Sequence, residues 1–466
     1  MIDSATSLAR RLERYRAATG VALPQPARAA ARGDLAARLA DALDGDVVRS
    51  PEGLIVRCEG PTRPLPVDRD RLATLPGQPS RDTPLVCLDT ETTGLATAAG
   101  TVAFLIGLGW WEADRFRQVQ LLLPDHGEER ALLTALEQAI PANAWLVTYN
   151  GRGFDWPLLV ARYRLARRPA PLHAGHLDLL PIVRRLFRHR MPDARLRTAE
   201  AELLGLRRTG DVEGWEIPSR YLGFLRGEPA SSLVEVVRHH DQDVRSLGRL
   251  LAHLEGRLGD PERRSNAPPG DLAGLARGFA REHRLGEALE CLDAAVDRPV
   301  AVVPGRDRTP TSGTPSRSDD GPWWSPRHGA DFGGRPIARG ARLTTTSRAA
   351  PVDEPWTGER IAVDRAHLLR RLGRYRDAAD AWTALAAGPG RIAVVAAIEL
   401  AKIHEHRLHD TPAALAASIR GLGAIDRRRH LGRPEPALEA DLDRRVARLR
   451  RRIGPGLGRA PLPAKV

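Results

Sequence analysis

Two carboxylates close an apolar run in this 466-residue chain: in Leu88-Asp89-Thr90-Glu91-Thr92-Thr93-Gly94 the acids stand two positions apart. In an extended strand residues i and i+2 point to the same side, so Asp89 and Glu91 can face one cation with hard oxygen donors. Downstream, Thr148-Tyr149-Asn150-Gly151-Arg152-Gly153-Phe154-Asp155 delivers a third acid after a second apolar run. Asp155 followed by Trp156-Pro157 also reads as a helix N-cap with an early proline, a purely local role. Further on comes Arg238-His239-His240-Asp241-Gln242-Asp243. On a helix His239 and Asp243 are one turn apart and share a face, whereas Asp241 points away, which selects Asp243 over Asp241 as a metal ligand. A turn-capping role explains each acid singly. It does not explain their order.

The LDTETTGL stretch, the Asn150-x-x-x-x-Asp155 spacing and the His-then-Asp helix resemble the DEDD exonucleases of the RNase H-like superfamily, over residues 85–251. His176-Leu177-Asp178, the leucines of 196–206 and Gly210-Asp211-Val212-Glu213-Gly214-Trp215 resemble the YprB-type branch of those proteins. The resemblance implies a metal-dependent 3′-5′ exonuclease or related phosphodiesterase acting on DNA or RNA. It implies two Mg or Mn ions, with Asp89 bridging both, Glu91 and Asp243 on the ion carrying the attacking water, and Asp155 on the other. Such ions, about 3.5–4 Å apart, activate a water and stabilise the leaving oxygen. His239 is the implied base, an imidazole titrating near neutrality, with His240 in reserve. Four residues separate His from Asp in the histidine type of this family and three separate Tyr from Asp in the tyrosine type. His239 stands at the tyrosine spacing. Asp178 reads as a helix cap. An inactive RNase H-like scaffold that binds nucleic acid or protein is the alternative, and the complete acidic set favours the enzyme.

These motifs need a framework. Residues 85–89, 101–111 and 115–124 read as a β-meander, 128–139 as a helix and 144–150 as another strand, the order of an RNase H-like mixed sheet flanked by helices. Helices are predicted at 156–166, 178–187, 196–204 and 233–254. Ahead of them, 7–43 reads as two helices broken at 23–26, 47–58 as a strand pair and 61–83 as a proline-rich connector. Beyond, 271–296 reads as two antiparallel helices turning at Leu285-Gly286-Glu287-Ala288. The phrase returns at Leu372-Gly373-Arg374-Tyr375 with Ala378-Ala379 and Trp382, which resembles tetratricopeptide-like hairpins. The resulting domains are 1–80 (helical and connector), 81–263 (RNase H-like), 264–298 (hairpin), 299–355 (disordered linker), 356–455 (an all-α, tetratricopeptide-like region that offers a protein-binding surface) and 456–466 (tail). The linker is rich in Gly, Pro, Ser and Thr and too poor in aliphatics to offset its ordering entropy; its Trp323-Trp324 pair reads as incidental.

The formal charge is +13, and of 71 basic residues only Lys402 and Lys465 are lysines. That balance suits a polyanionic partner, and equally reflects a chain that uses arginine throughout. Arg162, Arg164, Arg167, Arg168, Arg184, Arg185, Arg188 and Arg190 are candidates for phosphate contact, several of them simply solvated helix faces. Cys58, Cys87 and Cys291 are odd in number and widely spaced, which indicates neither a disulfide framework nor a zinc site and fits a reducing cytoplasm. No signal peptide or membrane span is read, so no membrane partner is expected. Nothing resembles a Walker A loop, a nucleophile elbow or a dinucleotide fingerprint, and no second catalytic constellation accompanies the acids to suggest a polymerase.

Overall fold

The apolar run ending in Asp89 becomes an interior strand of a mixed sheet. In the computed structural model of the protein, residues 25–94, 100–296 and 358–454 are described. The helix expected before residue 23, the linker 299–355 with its tryptophan pair and the tail 456–466 lie outside them.

The strands are β1 (Asp46–Ser50), β2 (Gly53–Glu59), β3 (Arg63–Pro64), β4 (Leu85–Thr92), β5 (Ala103–Glu112), β6 (Arg115–Leu122), β7 (Trp145–Thr148) and β8 (Gly175–Asp178), in the order β1-β2-β6-β5-β4-β7-β8 with β3 on β6. The expected meander is present, with β4, β5 and β6 antiparallel. β7 and β8 add in parallel on the other side of β4, which therefore sits where the sheet changes from antiparallel to parallel. The β1–β2 hairpin pairs with β6, so the sheet reaches back into the segment N-terminal to residue 81. The stretch read as a connector carries β3 and a short helix whose N-cap, Asp68, accepts from Arg71 N.

Helices α1 (Gln25–Leu43), α2 (Arg69–Thr74), α3 (Glu129–Ala139), α4 (Asp155–Leu165), α5 (Leu179–Phe187), α6 (Leu196–Ala199), α7 (Ile217–Leu225) and α8 (Val234–Leu254) pack around this sheet, and α9 (Pro261–Arg264) follows. Strand alternation divides the cores. Cys87 faces Val244 and Leu247 of α8 together with α5, while Val86 and Leu88 face α3, α4 and α7. The helix expected over 196–204 is a single α turn continued by a π turn, Glu200–Leu204. Helix α7 was not anticipated, although Pro218 in its first turn is a recognised start signal.

The C-terminal part is helical: α10 (Pro269–Arg281), α11 (Leu285–Val296), α12 (Gly358–Arg371), α13 (Tyr375–Ala386), α14 (Gly390–His406), α15 (Thr411–His430) and α16 (Pro436–Ile453). The first turn lies at 282–284 and not at 285–288, because Leu285 already opens α11. Pairing the two Leu-Gly dipeptides puts the repeat out of step. The positions that correspond are the turn residues His283, Gly373 and His409, all with positive φ, each ahead of a buried alanine five residues on, Ala288, Ala378 and Ala414. Helix α10 packs on α5, and one apolar cluster runs from the sheet through α10 and α11 into α12–α14.

Candidate functional site

Asp89 and Glu91 leave β4 on the side that α8 covers, opposite Gly107 and Leu105 of β5. The helix can come close because β5 is bare there. A Cβ on Gly107 would lie 2.4 Å from Val244 Cγ2 and 2.5 Å from His240 Cε1. A register shift between Glu91 and Thr92 ends the regular ladder immediately after the second acid.

Asp155 arrives from another element, as the first residue of α4, and is 5% exposed. Its Oδ1 accepts from the Thr90 hydroxyl at 2.5 Å, which ties it to the strand between the first two acids. The loop before it is shaped by Asp178, which caps α5 at Leu180 N (3.0 Å) and also accepts from the backbone of Asn150 (2.8 Å) and Arg152 (3.2 Å). Asp178 is therefore a cap twice over, as its position in the sequence suggested.

Helix α8 presents its residues as helical phase requires. Asp241 points away from the acids, packs beside Gly60 and pairs with Arg245. Asp243 points toward them. His239 bridges two carboxylates, with Nδ1 2.7 Å from Asp211 Oδ1 and Nε2 3.3 Å from Asp243 Oδ2. Glu91, His239 and Asp243 offer ligand atoms that all lie within 4.8 Å of one another. His240 is fully buried, its Nδ1 3.1 Å from Gln120 Oε1 and its Nε2 3.6 Å from Asp89 Oδ2. Gln120 donates its amide nitrogen to Val237 O, so its oxygen is the atom facing His240, and Nδ1 carries the hydrogen. Burial pushes the His240 imidazole down to about 3.

Sequence reasoning missed three contributors. Arg208 is clamped by Glu200 through Nε–Oε2 (2.7 Å) and Nη2–Oε1 (2.6 Å), donates to Asp243 Oδ1, and pairs through Nη1 with Asp211 Oδ2 at 3.2 Å. Glu200 is 0% exposed and also accepts from Ser246 at 2.5 Å. No periodicity announces these contacts, which span 28 to 35 residues between Asp211 and His239 and between Arg208 and Asp243.

The electrostatics are those of a site short of positive charge. Burial, then the charges of Asp155, Asp243 and Glu91, hold the Asp89 carboxyl well above the usual range. Burial, then Asp243 and Asp155, does the same to Glu91. Burial raises Asp155 to about 6, against the Thr90 hydroxyl that favours its charge. Asp243 is raised by burial in spite of His239 and Arg208. Asp211 is the exception: its contacts with His239 and Arg208 overcome burial and keep it below the usual range. Crowded oxygen donors whose mutual repulsion is met by one guanidinium fit a hard divalent cation, which would relieve that repulsion.

Several of the arginines considered for phosphate contact are used internally. Arg162 pairs with Glu129, Arg168 with Glu137, Arg190 with Asp271, and Arg188 donates to the carbonyls of Met191 and Pro192. The three cysteines are buried thiols. Among the described residues no helix is long and apolar enough to cross a membrane.

Comparison with known proteins agrees with this architecture. The uncharacterized protein YprB of Bacillus subtilis (strain 168) is 35% identical over 218 residues, 46% of this chain and 52% of that protein. The chain thus spans about half the length of the curated relative it matches. The family model of the RNase_H superfamily covers residues 86–255, from β4 and its acids to the end of α8 with Asp243. Those residues form a domain of the RNase_H superfamily.

Proposed function

We propose that the protein is a divalent-metal-dependent nuclease of the DEDD type, a 3′-5′ exonuclease on DNA or RNA. The observation that carries this reading is the meeting of Asp89 and Glu91 from β4, Asp155 from α4 and Asp243 from α8, where the charges of Asp155 and Asp243 add to burial in holding both strand acids above the usual range. Asp89, Glu91, Asp155 and Asp243 would hold two Mg or Mn ions. When bound, these supply Lewis-acid activation of a water and neutralise charge at the leaving 3′ oxygen. His239 takes the water's proton at Nε2, the nitrogen 3.3 Å from Asp243 Oδ2. Thr90 holds Asp155 in place, and Asp178 fixes the glycine loop against which a nucleic-acid strand can lie. The helical C-terminal region is a tetratricopeptide-like surface for a protein partner.

One observation favours a second reading. Both oxygens of Asp243 have partners within the chain, Arg208 on Oδ1 and His239 near Oδ2, as in a scaffold that has satisfied its acids without a cation. End-labelled single- and double-stranded DNA and RNA, incubated with Mn, Mg or EDTA, separate the two. The nuclease shortens at least one substrate only with metal, and loses that activity when Asp89→Ala and Glu91→Ala are combined. Shortening that survives the double substitution refutes the site, and absence of turnover on all four substrates supports the scaffold.

A further inference from the structure

We propose that Asp211 is a positioning residue that sets the tautomer of His239 against a competing arginine. The inference rests on reading His239 as the proton acceptor of the nuclease. Two groups reach His239 Nδ1: Asp211 Oδ1 at 2.7 Å and Arg208 Nη1 at 3.2 Å. A carboxylate oxygen only accepts and a guanidinium only donates, so the two demand opposite tautomers. With Asp211 in place the shorter, charge-assisted contact wins: Nδ1 carries the hydrogen and donates it to Asp211. The hydrogen on Nδ1 stays with Asp211, and the proton that comes and goes is the one on Nε2, 3.3 Å from Asp243 Oδ2.

The rest of the network holds this arrangement. Arg208 cannot swing away, because Glu200 takes it with two bonds and is itself buried and bonded to Ser246. Its Nη1 therefore stays beside both Asp211 Oδ2 and His239 Nδ1. Asp211 is fixed in turn by Val212 N–H on Oδ1 at 3.1 Å. If the carboxylate is removed, the guanidinium becomes the remaining partner of Nδ1. The imidazole then accepts there, its hydrogen moves to Nε2, and that nitrogen donates to Asp243 when it should accept from water. The same Arg208 that steadies Asp243 makes Asp211 necessary.

The test uses the full chain labelled with 15N-histidine and long-range 1H–15N correlation, with His239 assigned by the signal that disappears in His239→Gln. At a pH where the ring is neutral, wild type is expected to show the Nδ1–H tautomer and Asp211→Ala the Nε2–H tautomer. Asp211→Glu restores Nδ1–H, and Arg208→Gln leaves it unchanged. Asp211→Val, which keeps the volume, replaces the alanine variant should that one not fold. Turnover of a metal-dependent substrate falls about 10–100-fold in kcat in Asp211→Ala, the usual cost of losing such an orienting partner, while KM moves less than about threefold. An Nε2–H tautomer in wild type, or an unchanged Nδ1–H tautomer in Asp211→Ala or its stand-in Asp211→Val, overturns the proposal. A tautomer switch in a protein that turns over no nucleic acid leaves the positioning role standing and removes the nuclease reading.

Discussion

Replacing Asp155 with asparagine should make the metal-free protein more stable, and by an amount that depends on pH. The carboxyl is 5% exposed and titrates at about 6, raised chiefly by burial, whereas an unfolded aspartate titrates near 3.9. The folded state thus holds this proton more tightly than the unfolded chain. Below about pH 3 the group is protonated in both states and carries no penalty. As pH rises to 6 the penalty grows, and above about pH 7 it is complete. A difference of about two pKa units corresponds to about 3 kcal/mol, an upper limit because neighbouring groups relax. Asparagine keeps the oxygen that accepts from the Thr90 hydroxyl and removes the charge. In EDTA at pH 7.5, Asp155→Asn should melt above wild type by up to about 6–12 °C, at about 2–4 °C per kcal/mol for a domain of this size. The gap should nearly close by pH 4. In saturating Mn the order should reverse, because wild type gains by ligand binding and the variant loses a ligand. Thermal melts across pH 4–8 with and without metal decide the matter. A variant less stable than wild type at pH 7.5 in EDTA, or a gap independent of pH, refutes the argument that these acids are held at a cost.

Two further expectations concern the packing that builds the site. Gly107→Ala places a Cβ within about 2.5 Å of Val244 and His240. Urea unfolding should show about 1–3 kcal/mol of destabilisation, with the proposed nuclease activity falling further than stability explains, since α8 carries Asp243. Asp271 is 1% exposed and accepts from Arg190 at 3.0 and 3.1 Å with His189 at 3.2 Å. Asp271→Ala strands both and should cost toward the lower end of the about 3–5 kcal/mol typical of a broken buried pair, measured by the same unfolding curve. Loss of less than about 1 kcal/mol would mean that α10 is seated without this contact.

What the sequence made legible follows the range of the forces involved. Strand β4 and its acids are local facts, an apolar run with carboxylates two apart, and the preference for Asp243 over Asp241 needs only helical phase; the structure turns Asp241 toward Gly60 and Arg245. Arg208, Asp211 and Glu200 escaped because their partners lie on other elements, and an arginine in a chain of arginines carries no mark. The position of the first hairpin turn escaped because two Leu-Gly dipeptides look equivalent, whereas positive φ at His283 and Gly373 shows that they are not.

Helix α10 lies so close to α5 that a Cβ on Gly274 would come within 2.4 Å of Arg185 O. Backbone meets backbone at that point, flanked by the buried side chains of Leu186, Leu272 and Leu275. If the helical array binds a partner, as proposed, that partner is held at a fixed distance from the acids rather than at the reach of a tether. Such a protein would measure its substrate, admitting those whose grip point and reactive end are the right distance apart, where a flexibly joined pair of domains would only concentrate it.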